Sequence, residues 1–166
     1  MPKVLFDACV LSNFALSGSL HILKSCYEGY AYMSSFVAAE NLRGFLSGNT
    51  ELDEVRKAVD TWLIETSIEG KEEKTLFETL SVSLGAGEAS SIAIAKVRGY
   101  TFASDDRAAR RDAAYLEVPL TGTLGILWKA VNMKLITLGN GDIILSSMCK
   151  KGFYSPVKSL KELKDR

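Results

Sequence analysis

The sequence is short of the residues that several familiar chemistries require. Its 166 residues hold three cysteines, Cys9, Cys26 and Cys149. The number is odd and the spacings are wide, which excludes a disulfide framework and a Cys-x-x-Cys site. Histidine occurs once, at His21. It lies outside any acidic motif and is read as a structural or surface residue. No stretch approaches 18 consecutive apolar residues, so no membrane span is expected. Excess charge of one sign is absent too: Lys+Arg is 20 and Asp+Glu is 20, a formal net charge of zero. That balance excludes a nucleic-acid binder that works by bulk positive charge. With 47% hydrophobic residues, it also excludes a disordered acidic or basic chain. The opening segment MPKVLFDACVLSNF has no apolar stretch closed by a small-residue cleavage site, so a cytoplasmic location is expected.

What is present is an ordinary globular composition. The length fits one domain, 1–166, able to bury about two thirds of the surface it exposes when unfolded. Short buried strands are predicted at Lys3–Asp7, Tyr30–Met33, Leu63–Ile68, Tyr100–Ala103 and Glu117–Thr121, with Pro119 marking a strand end or edge. Helices are predicted at Leu11–Leu16, Leu20–Tyr27, Ser35–Leu46, Glu51–Leu63, Glu72–Leu80, Leu84–Gly99, Asp105–Leu116, Gly125–Asn132 and Asp142–Lys151, with another near Val157–Lys164. Strands alternating with helices predict an α/β domain, a mostly parallel central sheet flanked by helices.

Chemistry is sought at the carboxyl ends of such strands. Asp7 follows Lys3-Val-Leu-Phe, and Asp105-Asp106 follow Tyr100–Ser104. Glu40 and Glu88 sit in apolar helical stretches, where a charge is out of place. A buried carboxylate is costly unless it is paired or holds a metal. Four such acids from distant segments have the composition of a hard-cation site, since Mg²⁺ and Mn²⁺ prefer oxygen ligands. Each acid also has a structural reading. Asp7 and one of Asp105 and Asp106 can cap the helices that follow them. Glu40 can pair with Arg43, and Glu88 sits in a first helical turn, where the macrodipole favours an anion.

Taken jointly the acids resemble a known pattern. VLFDACVLSNF with Asp7, SSFVAAENL with Glu40, LGAGEASSIAIA with Glu88 and TFASDDRAARRDA with Asp106 resemble the motifs of the PIN-domain family of metal-dependent nucleases. Within that family the chain resembles the VapC-like toxins of toxin–antitoxin pairs. VPLTGTLGILWKAVNMKLI and the tail KKGFYS resemble a branch in which Gly-Thr-Leu-Gly follows the last strand. Cys9 departs from the pattern, because many members carry Ser or Thr there.

The resemblance implies a PIN-like three-layer sandwich and hydrolysis of RNA phosphodiester bonds with one or two Mg²⁺ or Mn²⁺ ions. Asp7, Glu40, Glu88 and Asp106 are then the catalytic acids. The metal ligands are drawn from these four and Asp105, with the choice between Asp105 and Asp106 as main ligand open. Arg43, Arg107, Arg110 and Arg111 are candidates to steer phosphate, against the plainer reading of a solvated helix face. Implied partners are an RNA substrate, a small antitoxin protein and a second copy of the chain. The main alternative is a non-catalytic PIN-like module that binds RNA or protein. Other α/β phosphate enzymes fit less well: Asp7-Ala8-Cys9 lacks the second acid of an Asp-x-Asp pair, and no Gly-x-Gly-x-x-Gly follows the first strand.

Overall fold

The computed structural model describes residues 1–165. Five strands form one sheet: β1 (Val4–Phe6), β2 (Ala31–Ser34), β3 (Leu63–Thr66), β4 (Thr101–Ala103) and β5 (Leu120–Thr121). Their spatial order is β3-β2-β1-β4-β5, and every neighbouring pair is parallel. The chain therefore steps outward from β1 to β3, then returns to lay β4 on the other side of β1. The reversal falls between β1 and β4, which is where open α/β sheets leave a crevice at their carboxyl ends. Phe6 pairs with Ala103 there, so Asp7 and Ser104 leave the sheet side by side.

Nine α-helices lie among the described residues: α1 (Ala8–Leu16), α2 (Leu20–Tyr27), α3 (Ser35–Leu46), α4 (Asp53–Ala58), α5 (Gly70–Leu80), α6 (Ala86–Arg98), α7 (Arg107–Tyr115), α8 (Thr123–Asn132) and α9 (Leu138–Lys150). All three residues of β1 are buried, as the central strand of a parallel sheet requires. Their side chains alternate: Val4 and Phe6 join an apolar cluster with α1, α2 and α8, while Leu5 joins a second cluster with α6 and α7. This alternation separates two helical layers by one sheet, the three-layer α/β sandwich expected. The α6 helix is largely buried, with Ala89, Ile92, Ala93 and Ile94 fully enclosed. Gly99 ends it in the left-handed conformation, φ 74°, which a glycine adopts without strain. None of the helices is long and apolar enough to cross a membrane.

Two element boundaries differ from the sequence pattern. The helix predicted over Glu51–Leu63 is a 3₁₀ turn at Thr50–Leu52 followed by α4, which stops at Ala58. Val59 turns extended and bridges to Leu63, and Asp60 takes φ 64°. The apolar residues Val59, Trp62 and Leu63 at helical spacing serve the entry to β3 instead. In the tail, α9 begins four residues before Asp142, where the Thr137 hydroxyl accepts from the Asn140 N–H. Gly139 and Gly141 both lie inside the helix. A Cβ on Gly141 would meet Leu160 Cδ1 at 2.6 Å, so the glycine admits the C-terminal turn, a 3₁₀ helix at Leu160–Asp165.

Candidate active site

The acids arrive at the carboxyl edge of the sheet by separate local devices. The Asp7 N–H donates to Ala103 O at 2.9 Å, which continues the β1–β4 ladder one residue past the strand. Asp7 then turns into α1 as its N-cap, with Oδ1 accepting from the Ala8 N–H at 2.8 Å. Asp106 caps α7, with Oδ1 accepting from the Ala109 N–H at 2.8 Å. Glu88 sits in the first turn of α6, and its Oε2 accepts from the Gly85 N–H at 2.9 Å. The structural readings of these three acids are thus all realised. Glu40 is different. It projects from the middle of α3, is exposed, and has no hydrogen bond or ion pair among the described residues, the anticipated pair with Arg43 included. The expectation that Glu40 is a buried charge is therefore corrected, because the α3 face it shares with Phe36 points outward.

A buried hydroxyl pair brings α3 and α6 into register. Ser34, the N-cap of α3, accepts from the Val37 N–H at 3.1 Å and meets the Ser90 hydroxyl at 2.8 Å. Ser90 in turn donates to Gly87 O at 3.0 Å. A Cβ built on Gly87 would lie 2.9 Å from Glu40 Oε2. The absent side chain is what lets the Glu40 carboxylate lie over the start of α6, beside Glu88.

The four acids feel one another. Burial raises the Asp7 carboxyl from 3.8 to about 6, against the lowering effect of the Ser104 hydroxyl, and the charges of Glu88 and Glu40 add to the rise. Glu88 is also raised, first by burial and then by Asp106 and Glu40. Carboxylates from four segments thus share one electrostatic field, at the topological switch of the sheet.

Asp105 has a separate role. Its Oδ1 accepts from the Thr123 N–H at 2.9 Å, and its Oδ2 accepts from Asn13 Nδ2 at 3.0 Å and from the Thr123 hydroxyl. These bonds tie α1 to the start of α8 and occupy both oxygens. Asp106 keeps Oδ2 without a protein partner among the described residues, so it has the freer carboxylate.

Ser104, the hydroxyl residue of a Ser-x-Asp pattern that ends at Asp106, was not among the candidate site residues and is central. Its hydroxyl donates to Asp7 Oδ2 at 2.7 Å and accepts from the Asp106 N–H at 3.1 Å. The readable signal is a small hydroxyl residue at the end of a strand, just before paired acids. Cys9 lies in the same knot, with Sγ 3.6 Å from Asp7 Oδ2 and 3.8 Å from Ser104 Oγ. Burial and then the Asp7 charge push its thiol up to about 12. Cys9 stays protonated, supplies a weak donor where a hydroxyl is usual, and is not a nucleophile.

The arginines divide. Arg43 lines a cleft of about 400 Å³ with Phe36, Glu40, Gly85 and Glu88. Arg107 lines a second cleft on the other side of the acids. Arg110 turns inward, and its Nη1 donates to Ser104 O at 2.7 Å and to Thr121 O at 2.9 Å. It stitches β4 to β5, so the continuous phosphate stripe expected along α7 is broken at its middle. Arg111 is exposed and pairs loosely with Asp112 at 3.5 Å. His21 is exposed on α2, away from all of this.

The donor set is carboxylate oxygen throughout, which suits a hard divalent cation and not a soft one. Among the described residues, however, no group of three His, Cys, Asp or Glu side chains stands in a geometry ready to hold a metal. Like charges about 4 Å apart repel by ~4 kcal/mol at an effective dielectric near 20. Asp7, Glu88 and Asp106 are instead each held by an N–H at the start of a helix. Glu88 Oε1 and Asp106 Oδ2 are left free of protein donors among the described residues, and the gap kept by Gly87 leaves room at Glu40. The residues present fit such an ion once their side chains turn toward it.

A comparison with curated proteins finds no match. A family model, DUF3368, described as a PIN domain, matches residues 3–166. PIN domains are in general nucleases, which makes nucleic acid the general class of substrate. Through a match over nearly its whole length, and with the parallel sheet and the acids at its switch point in agreement, the chain belongs to the PIN-domain family.

Proposed function

We propose that the chain is a Mg²⁺- or Mn²⁺-dependent endoribonuclease, and that it serves as the toxin of a toxin–antitoxin pair. The observation that carries this reading is the convergence of Asp7, Glu40, Glu88 and Asp106 at the switch point, where burial first, and then the charges of Glu88 and Glu40, raise Asp7 to about 6. A cluster that strains its own acids is a functional-site signature. Asp7, Glu88 and Asp106 would hold one or two ions. When bound, those ions activate a water and stabilise the oxygen leaving the phosphodiester. Ser104 fixes Asp7 Oδ2 in one direction. Glu40, free of hydrogen bonds, orients the attacking water. Asp105 holds the α1–α8 joint and is set aside as a ligand. Arg43 and Arg107 steer phosphate to the acids, and Arg110 supports them from within. Residues 1–166 act as one catalytic domain. A small antitoxin presenting basic side chains to the acidic pocket would silence it, and a homodimer would be the working form.

A second reading is favoured by one observation: three acids already serve as caps, and no ready-made metal group is formed among the described residues. On that reading the chain is a non-catalytic module that binds RNA or protein. Incubating total RNA with the purified protein and Mn²⁺, then sequencing the new ends, separates the two. The nuclease reading expects defined cuts that vanish in Asp7→Asn and Glu88→Gln. Cuts that persist in both variants, or no cuts at all, favour the module.

A further inference from the structure

The tail motif Lys150-Lys151-Gly152-Phe153-Tyr154-Ser155 has no part in the chemistry above, yet it walls the second cleft. That cleft measures about 560 Å³ and is lined by Phe153, Tyr154 and Pro156 together with Arg107 and Arg110. The volume is that of a small-molecule site. Asp105 lines it as well, one residue from Asp106 of the acidic site. We propose that this cleft is a nucleotide subsite for single-stranded RNA, in which Tyr154 stacks on a base and Arg107 pairs with the adjoining phosphate. The proposal rests on the nuclease reading and adds to it where the strand lies.

Three features argue for this occupant. Tyr154 is 86% exposed, but its backbone is pinned on both sides. The Phe153 N–H donates to Met148 O at 3.0 Å, and the Ser155 hydroxyl accepts from the Val157 N–H at 3.2 Å and donates to Val157 O at 2.6 Å. Phe153 also packs against the apolar core. A solvent-facing ring carried on a hydrogen-bonded backbone is open to stacking, and every base offers it a face. Arg107 is exposed, with no hydrogen bond or ion pair among the described residues. Arg110 is clamped through Nη1, which holds its charge at the cleft wall. Finally, Arg107 and Arg110 outnumber Asp105 among the charged residues that line the cleft, so the cleft favours an anion beside a site that is itself acidic. Stacking on a protein ring requires a base free of its own helix, which selects single strands over duplex.

The test is binding without turnover. A fluorescein-labelled, unstructured RNA of about ten nucleotides is titrated with protein in EDTA, and anisotropy gives Kd. Tyr154→Ala and Arg107→Ala are each expected to weaken binding about tenfold, while Tyr154→Phe stays within about twofold. Tyr115→Ala, an equally exposed tyrosine outside the cleft, should match wild type. The same RNA annealed to its complement should bind more weakly. Wild-type affinity in Tyr154→Ala, or equal losses in Tyr154→Ala and Tyr115→Ala, overturns the subsite. So does a Tyr154→Ala protein that keeps its RNA affinity and loses only a small protein partner. Adding Mn²⁺ to the same mixtures separates the two claims. Tyr154-dependent binding without cleavage by wild type keeps the subsite and sinks the nuclease. Cleavage with no role for Tyr154 does the reverse.

Discussion

Asp7 carries three duties at one carboxylate: it extends the β1–β4 ladder, caps α1 and anchors the acidic site. The first two stabilise the fold; the third strains it. Burial and neighbouring charges raise its carboxyl from 3.8 to about 6. A raised folded value means that the native state prefers the protonated form. The stability linked to that preference is complete below about 3.8 and is lost as pH rises through about 6. At neutral pH the ionised carboxylate opposes folding by on the order of 3 kcal/mol. Asp7→Asn removes the charge and keeps an oxygen for the Ala8 N–H, while its Nδ2 takes the place of Oδ2 and no longer accepts from the Ser104 hydroxyl. In EDTA at pH 7.5 the variant should melt at the wild-type temperature or up to about 5 °C above it, and the gain should shrink as pH falls through about 6 and vanish below about 3.8. A lower melting temperature at pH 7.5 would make Asp7 chiefly a cap. The acids themselves were legible because a charge in an apolar run is visible along one line of text. The separation of Asp105 from Asp106 was not. It depends on Asn13 and Thr123, which the fold brings from 92 and 18 residues away.

At the scale of elements, the strand–helix alternation was readable and several ends were not. Val59, Trp62 and Leu63 satisfy a helical period and a strand entry equally well, and only the bridge to Leu63 decides between them. Glycines at 139 and 141 argue locally against a helix that the packing of Leu160 permits. The pairing that holds α5 against α6 also escaped notice, because its partners lie 25 residues apart. Arg98 reaches Glu73 through Nε at 2.6 Å and Nη2 at 3.0 Å, and spans to the Thr66 hydroxyl and Ser67 O at 2.8 Å each. Glu73 is buried at 3% exposure. Burial alone pushes its carboxyl up, and the Arg98 guanidinium with the Glu69 N–H reverses this and holds it below 4.5. The stability it lends is therefore present above about 4.5 and is lost as pH falls through the lowered value. Arg98→Met should destabilise the protein by about 3 kcal/mol at pH 7, because it leaves Glu73 buried and unpaired. A Glu73→Gln, Arg98→Met double variant should recover part of that loss. Urea unfolding at pH 7 reads both. An Arg98→Met loss below 0.5 kcal/mol would mean that water already carries the Glu73 charge.

For the whole molecule, zero net charge conceals a separation. Four acids are drawn to one edge of the sheet, and arginines stand in clefts on either side of them. A neutral chain cannot gather a polyanion by bulk attraction, so positive charge has to be supplied locally at the acids. If divalent cations supply it, they bind the folded chain and not the unfolded one, and folding stability must rise with their concentration. At a hundred times the dissociation constant the gain is about 2.7 kcal/mol, or roughly 8 °C in Tm for a chain of this length. Titrating Mn²⁺ into the chelator-treated protein at pH 7.5 should show that rise for wild type. Asp7→Asn and Asp106→Asn should shift far less, and Lys and Arg variants outside the edge should shift as wild type does. The rise should shrink at pH 5.5, where Asp7, raised to about 6, is mostly protonated and the ion must displace a proton. Equal shifts in wild type and Asp7→Asn would place any bound cation away from the switch point. The acids would then be left as helix caps that happen to share a field.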